Sequence, residues 1–277
     1  IEVKTELDDI GKDAKVTKEP FNIYISGIDT YGVISTRSRS DVNMIMTINP
    51  TTNEILLTNI PRDYYVQLHG TTGLKDKLTH AGVYGINMSI QTIEDLMDID
   101  INYYVRVNFN TLIKVVDTIG GIEIDSDKAF TPYTDPTCPI KKGINKLDGK
   151  CALAFSRERH AYLEGDRHRG QNQQQVITKI IEKVTESSTL ISKYSSILNT
   201  LEGSFQTSLS TDEIYALIKM QLNDMPHWNI TSQAVDGTGS MSYTHSYPNQ
   251  KLYVMVPTES TLTEAKNNIQ NIINKSN

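Results

Sequence analysis

Hydrophobic residues along this chain recur with a period near two in some stretches and near 3.6 in others, and each change of period marks an element. Phe21 to Ile28 is rich in β-branched and aromatic residues and runs out at Gly27 and Asp29, which predicts a strand. Val42 to Ile48 and Glu54 to Ile60 predict two more, joined by the turn Asn49-Pro50-Thr51-Thr52-Asn53, so this pair is expected to be antiparallel. Ile86, Ile90, Ile93, Leu96 and Met97 fall at helical spacing, and Ile101 to Phe109 returns to a strand pattern. A helix from Thr111 should end at Gly120-Gly121, where a left-handed cap costs least, with a short strand at Ile122 to Ile124. Gln171 to Thr185 predicts a long amphipathic helix with Val176, Ile177, Ile180, Ile181 and Val184 on one side. Ser210 and Glu213 form a capping box before an apolar helix from Ile214 to Leu222. Strands near Trp228 to Val235 and Lys251 to Val256 then precede a last helix from about Ser260. Residues 1–20, charged and without a period, read as a linker or a loose N-terminal segment.

This order predicts an α/β fold, a mixed and partly antiparallel central sheet covered by helices in an α-β-α arrangement, with residues 21–277 as a single domain. A chain of 277 residues with 38% hydrophobic content can bury a core of that size. Nothing in it approaches the roughly 18 consecutive apolar residues of a membrane span. Ile1 leads straight into a polar stretch, so a processed or truncated piece is expected. A formal net charge of -6 argues against broad binding to nucleic acid or anionic membrane, although a local basic pocket can coexist with it.

Such a pocket is what the arginines suggest. Seven of the eight fall in three short stretches: Arg37 and Arg39 in TRSRSD, Arg62 in NIPRD, and Arg157, Arg159, Arg167 and Arg169 in FSRERHAYLEGDRHRGQ, with Arg106 alone elsewhere. The planar guanidinium binds phosphate oxygens bidentately and keeps its charge when partly buried, so a polyanion is expected. Read as a strand, Leu153, Phe155, Arg157 and Arg159 share one face that turns from apolar to cationic, and Leu56, Ile60 and Arg62 do the same. Ligands of open α/β sheets sit outside the carboxyl ends of strands, where both arginine sets would lie. A helix starting near Asp166 would carry Arg169, Gln173, Val176 and Ile177 along one side, its N-terminus offering amide hydrogens to an anion. The competing reading is a structural ion-pair network in which Asp41, Asp63, Glu158, Glu164 and Asp166 neutralise the cations, since unpaired buried charge is costly.

Other candidate chemistry is weaker. Asp29 and Asp41 end and open strands near one sheet edge, and two carboxylates beside a polyphosphate suit Mg²⁺. His160 and His168 lie within the arginine cluster as partners or as general acids and bases. Cys138 and Cys151, 13 positions apart around a polar loop, lack zinc-ligand spacing; a disulfide worth roughly 3 kcal/mol and two free thiols both remain open. No GxSxG, HExxH or GxxxxGK[ST] sequence occurs.

Taken in order, GID at 27–29, RSD at 39–41, IPRD at 60–63, KLTHA at 77–81, DTIGGIEI at 117–124, LDGKCALAFSRER at 147–159 and GDRHRGQNQQ at 165–174 resemble the LytR-CpsA-Psr family, over about residues 20–185. The chain looks most like the streptococcal, CpsA-like capsule-assembly members. Asn59 stands where the family often has Ser, and Thr131 to Gly143 matches no motif.

The resemblance implies a Gram-positive enzyme on the extracellular face of the cell membrane, anchored through an N-terminal helix that this sequence does not include. Such an enzyme moves a glycopolymer, here capsular polysaccharide, from a polyprenyl pyrophosphate carrier to peptidoglycan. By motif, Asp29 and Asp41 would hold Mg²⁺. Arg39, Arg62, Arg157, Arg159, Arg169 and Gln173 would bind the pyrophosphate, with Lys77 in addition, and Asp166 would orient arginines. Val176, Ile177 and Ile180 would contact the polyprenyl tail. Catalysis would rest on positioning and charge neutralisation by Arg62, Arg157 and Arg159. Two non-enzymatic readings stand beside it: a polyprenyl-phosphate-binding module that regulates capsule assembly, and a DNA-binding regulator, which the acidic charge disfavours.

Overall fold

The computed structural model describes residues 2–3, 15–34 and 37–276. In chain order the elements are β1 (Glu2–Val3), β2 (Phe21–Ile28), β3 (Val42–Asn49), β4 (Glu54–Ile60), β5 (Tyr65–Val66), β6 (Asp76–Lys77), α1 (Leu78–Ala81) and α2 (Ile86–Met97). Then follow β7 (Tyr103–Asn108), α3 (Phe109–Thr118), β8 (Ile122–Ser126), β9 (Gly143–Leu147), α4 (Gly149–Arg157), α5 (Gly165–Glu186), α6 (Ser188–Ser192) and α7 (Tyr194–Leu201). The chain closes with β10 (Gln206–Thr207), α8 (Thr211–Asp224), β11 (Asn229–Ala234), β12 (Gly237–Tyr243), β13 (Lys251–Pro257) and α9 (Glu259–Asn274).

A seven-stranded sheet in the order β1-β10-β7-β2-β3-β4-β11 forms the centre. β3 is antiparallel to both β2 and β4, whereas β7 runs parallel to β2 and β11 parallel to β4. The expected mixed sheet is therefore present, and β2, β4, β7 and β11 all point the same way. Alternation along the strands sends side chains to two cores. Tyr24, Ile45 and Leu56 pack with α2 and α9 on one face; Ile23, Ile25, Met44 and Leu57 pack on the other, against Ile177 and Ile181 of α5 and Ile214 and Leu217 of α8. A third cluster ties α3, α4, β8 and β9 to α5 through Val116, Ile124, Phe155 and Val176.

The turn from β3 to β4 is held by the Asn49 side-chain oxygen, which accepts from Thr51 N at 3.1 Å and Thr52 N at 3.3 Å, and closes through Asn53 at φ 54°. Asn108 ends β7 and caps α3 with Thr111, so the helix begins at Phe109, earlier than the pattern predicts. Residues 1 and 4–14 of the N-terminal stretch lie outside the described residues. Within the rest of that stretch, Glu2–Val3 pairs parallel to β10, and Val16 is buried in the core.

One expectation is overturned with consequences for the site. Leu153 to Arg157 is not a strand but the last part of helix α4. The Asp148 side chain caps this helix by accepting from Cys151 N at 2.8 Å, and Ala152 to Ser156 are all buried. A wholly buried run shows no polar face, so its alternation carried no information about period. Cys138 and Cys151 are joined as a disulfide, Cα–Cα 5.3 Å, which ties the 127–140 loop to the first turn of α4.

Candidate functional site

The carboxyl ends of β2, β4, β7 and β11 open on one edge of the sheet, and the candidate residues collect there. Asp29 follows β2, Arg62 follows β4, and Asp41 precedes the antiparallel β3 between them. The Arg62 guanidinium forms an ion pair with Asp41 through Nη1 and lies 3.9 Å from Asp63 through Nε. Lys77 Nζ donates to Asp63 Oδ1 at 2.8 Å, both side chains being 13% exposed.

The second contribution comes from α4 and α5. Asp166, in the first turn of α5, receives Arg159 Nη1 and Arg169 Nη2, each at 3.4 Å, on one oxygen. Arg169 is 12% exposed at its side chain. Burial pushes its guanidinium toward release of the proton, Asp166 and Asp29 oppose this, and Arg159 and Arg62 add to it. An arginine held among other arginines in a desolvated place favours a bound anion. Asp41 shows the opposite strain: burial raises its pKa, Arg62 lowers it, and the nearby Asp29 raises it again.

Arg157, in the last turn of α4, stands 4.2 Å over the ring of Phe109, a cation–π arrangement. It does not share a line with Arg159, as a strand would have required. Arg39 is exposed, its Nη2 lying 3.4 Å from the Tyr247 hydroxyl, and it lines neither of the cavities below.

Two cavities meet in this region. One, of about 100 Å³, is an apolar slot between sheet and helices, lined by Ile25, Ile28, Phe109, Leu112, Leu153, Val176 and Ile177, with Asp29, Arg157 and Gln173 at its polar side. The other, of about 520 Å³, is lined by Asp41, Arg62, Asp63, Asp166, Arg167 and Arg169, again with Gln173. Gln173 therefore belongs to both, and one surface runs from cationic to apolar as the helix face from Arg169 to Ile177 predicts. Ile180 does not line the slot; it packs against the cluster around Val116 and Phe155. A wider depression of about 690 Å³ lies at the other end of β2, lined by Glu94, Asp95, Asp98 and Asp100 and by no cation, so it is no anion site.

The predicted ion-pair network is real in part. Arg62, Lys77, Arg159 and Arg169 each have a carboxylate, but Asp166 serves two of them, and Arg157 has none among the described residues. Glu158, which the sequence offered as a neutraliser, is buried and instead accepts from Tyr133 N at 2.7 Å and Ala161 N at 2.9 Å. The histidines are taken up by tyrosine rings: His160 lies 4.3 Å from Tyr133, and His168 stacks on Tyr162 at 3.2 Å. Burial lowers the pKa of His168, against the pull of Asp127.

Sequence reasoning missed the wall supplied by β12, β13 and the residue before them. Asp236 pairs with Arg167, and Tyr253 and Met255 line the larger cavity. Gly237 to Ser240 is small and polar, and Met241 and Tyr243 alone alternate with polar residues, too short a pattern to mark β12. Asn59, the departure from the family pattern, lines the same cavity beside Gly170 of α5, where a Cβ would come within 2.6 Å of the Asn59 amide.

Two carboxylates, Asp29 and Asp41, are close enough to interact, and among the described residues no group of three or more His, Cys, Asp or Glu assembles as a metal cage. That donor set fits an ion that takes one or two protein carboxylates and completes its shell with phosphate oxygens and water, as Mg²⁺ does. Among the described residues no helix is long and apolar enough to cross a membrane.

The model of the LytR_cpsA_psr family matches residues 2–270. Over 224 residues, 80% of this chain and 71% of the relative, the chain is 34% identical to the polyisoprenyl-teichoic acid–peptidoglycan teichoic acid transferase TagU of Bacillus mycoides (strain KBAB4). Among solved structures, B. subtilis TagV superposes with a TM-score of 0.77 at 29% identity, covering 94% of this chain and 99% of that one. TagT bound to LIIa-WTA superposes with a TM-score of 0.78 at 26% identity, covering 99% and 100%.

Proposed function

Because the chain belongs to the LytR-CpsA-Psr family, we propose that it is a phosphotransferase that moves a glycopolymer from a polyprenyl pyrophosphate carrier to peptidoglycan on the extracellular face of a Gram-positive cell membrane. The observation that carries this reading is the shared wall at Gln173, with an apolar slot on one side and on the other a larger cavity in which Arg62, Arg167 and Arg169 stand among carboxylates. A ligand that suits both is a polyanion carrying an apolar tail whose first part enters the slot. Relatives named for transfer of teichoic acid from a polyisoprenyl carrier to peptidoglycan support the same class. The finer assignment proposed is capsular polysaccharide as the polymer, on the motif resemblance.

In the proposed mechanism a hydroxyl of the acceptor attacks the phosphorus that carries the glycan. A new P–O bond forms to the acceptor, the bond to the bridging oxygen breaks, polyprenyl phosphate leaves, and the hydroxyl proton passes to solvent or to a carboxylate of the cavity. Arg62 and Arg169 line the cavity and Arg157 lines the polar side of the slot, so they can hold nonbridging and leaving oxygens as charge builds. Asp166 positions Arg159 and Arg169 through its single shared oxygen. Lys77 keeps Asp63 in place at the cavity wall. Asp29 and Asp41 would hold Mg²⁺, which when bound supplies neutralisation of the pyrophosphate charge. No covalent enzyme intermediate is required.

The test is release of polyprenyl phosphate from a polyprenyl-pyrophosphate glycan in the presence of Mg²⁺, with and without peptidoglycan, for the intact chain and for Arg62→Ala and Arg157→Ala. Acceptor-dependent release that both variants lose is the expected result. An intact protein that binds the lipid but releases nothing would leave only a lipid-binding module. Offering capsular and teichoic acid donors side by side decides the polymer.

A further inference from the structure

β12 and β13 pair along their whole length, from Gly237↔Pro257 to Tyr243↔Lys251. Residues directly opposite share a face, so Gly239, Met241 and Tyr243 stand with Met255, Tyr253 and Lys251 on one side of the ribbon. Val254, on the other side, is fully buried while Val256 beside it is 42% exposed, and at the inner end Met255 of the first side packs against the core, so the first side opens to solvent only toward Tyr253, Met241 and Tyr243. The first side is open and apolar: Met241 is 56% exposed, Tyr243 45% and Tyr253 45%. Lys251 lies 5.7 Å from the Tyr243 ring. The Tyr253 ring crosses to the neighbouring strand over Gly239, where a Cβ would come within 2.9 Å of Cε2. A large aromatic side chain laid over a glycine, with its outer face in water, is an unusual use of apolar area unless something covers it.

The position of this face selects what covers it. Its inner end, at Gly237, Tyr253 and Met255, is a wall of the arginine- and carboxylate-lined cavity, and its outer end leads away toward Tyr243. The apolar slot reaches the same cavity from the side of Gln173 and contains no residue of the ribbon. Tail, anion site and ribbon therefore follow one another, and the ribbon lies beyond the phosphates. Charge narrows the choice further. From Gly237 to Pro257 the ribbon has Lys251 and His245 and not one Asp or Glu, so it neither attracts a strongly anionic polymer nor repels a weakly charged one. Aromatic rings and a methionine suit the C–H faces and acetamido methyl groups of sugar rings.

We propose that the outer face of the β12–β13 ribbon binds the acceptor, as a strand of N-acetylated amino sugars laid along Tyr243, Met241 and Tyr253 and directed into the cavity at Met255. This rests on the transferase reading above, and assigns it an acceptor subsite. Met241 and Tyr243 lie outside the cavity and are exposed, so a Met241→Asp, Tyr243→Ala double variant tests the face without touching the arginines.

The experiment titrates intact protein and double variant by calorimetry, first with soluble uncrosslinked peptidoglycan strands and then with the polyprenyl-pyrophosphate glycan, after thermal melting shows both folded. The expected result is a loss of strand affinity of about tenfold or more with donor affinity unchanged. Equal strand affinity in both proteins overturns the proposal, and so does a parallel loss of donor affinity, which would assign the face to the polymer. Strand binding is read without turnover. Binding through the ribbon by a protein that never transfers therefore counts against the transferase reading, whereas normal transfer and strand affinity in the double variant count against the ribbon.

Discussion

Asp41 and Arg62 face each other because the antiparallel register of β3 and β4, which pairs Asn43 with Ile60, continues past the ends of both strands. The carboxylate of one meets the guanidinium of the other there. Asp41 is thus the one candidate metal ligand that an arginine of the anion site already holds. Replacing Arg62 by Gln removes a competitor for Asp41 and a cation for the phosphates at once. The expected outcome is tighter Mg²⁺ binding by calorimetry together with a fall in turnover of roughly a hundredfold or more. Weaker Mg²⁺ binding in Arg62→Gln would show that Asp41 is not a ligand.

Ile177 lines the slot while the arginines line the cavity, so the two halves of the ligand can be tested apart. Ile177→Trp fills the slot at a folding cost of roughly 1–3 kcal/mol. Affinity for long-chain polyprenyl phosphate should drop at least tenfold while inorganic pyrophosphate binds as before, both read by competition with a fluorescent lipid phosphate and by calorimetry. Loss of both together would mean that the slot and the cavity do not act as separate subsites.

Gly82 packs directly against the 37–41 segment. Ser38 N donates to Gly82 O at 3.1 Å, and a Cβ at Gly82 would fall 2.3 Å from the Ser38 carbonyl. Backbone stands on both sides, so Gly82→Ala must displace the segment that carries Arg39 and leads to Asp41. Turnover should fall about a hundredfold from misplacement alone, with thermal unfolding still cooperative. Unchanged kinetics would show that the segment adjusts without moving Asp41.

Asp76 is fully buried and receives His80 Nδ1 at 2.6 Å and Ser246 N at 2.9 Å. Burial alone would raise its pKa, but the hydrogen bonds from His80 and Ser246 outweigh it and hold the carboxyl below its ordinary value of 3.8. A depressed folded pKa stabilises the protein above the unfolded value, and that stability is lost as pH falls through the lower folded value. Asp76→Asn should cost roughly 3 kcal/mol or more at neutral pH, and the difference from the parent should shrink below about pH 4. Urea unfolding across that range measures it; a gap independent of pH would contradict the assignment.

The disulfide between Cys138 and Cys151 should contribute roughly 3 kcal/mol for a loop of 13 residues. It and Glu158 hold the 127–140 loop at two points against α4. Cys138→Ser with Cys151→Ser should lower the urea midpoint by a matching amount, and reductant should do the same to the parent but not to the double variant. A parent indifferent to reductant would mean the bond adds nothing.

The central strands, the αβ layering and most helices were legible from β-branched and aromatic content or from a helical period, as Phe21–Ile28 and Thr211–Asp224 show. The arginine clustering was equally plain, since Arg differs from Lys in what it can bind. What escaped were short runs with too few telling residues to mark a period. Ala152 to Ser156 is buried throughout, so only the Asp148 cap could have told helix from strand. Gly237 to Tyr243 opens on small and polar residues and alternates only at Met241 and Tyr243, yet it pairs with β13 to wall the cavity.

The sequence by itself therefore determined which residue types gather, and their chemistry survives any fold: guanidinium groups suited to a polyanion, two carboxylates suited to a hard cation, and an apolar helix face. Only the tertiary structure decided which groups meet. Asp41 finds Arg62 through strand register, Asp166 gathers Arg159 from the loop after α4 and Arg169 from its own helix, and Glu158 turns from the arginines to backbone amides. These outcomes depend on which buried polar group lies nearest when the chain closes, and distance between residues far apart in sequence is the quantity a linear sequence does not contain.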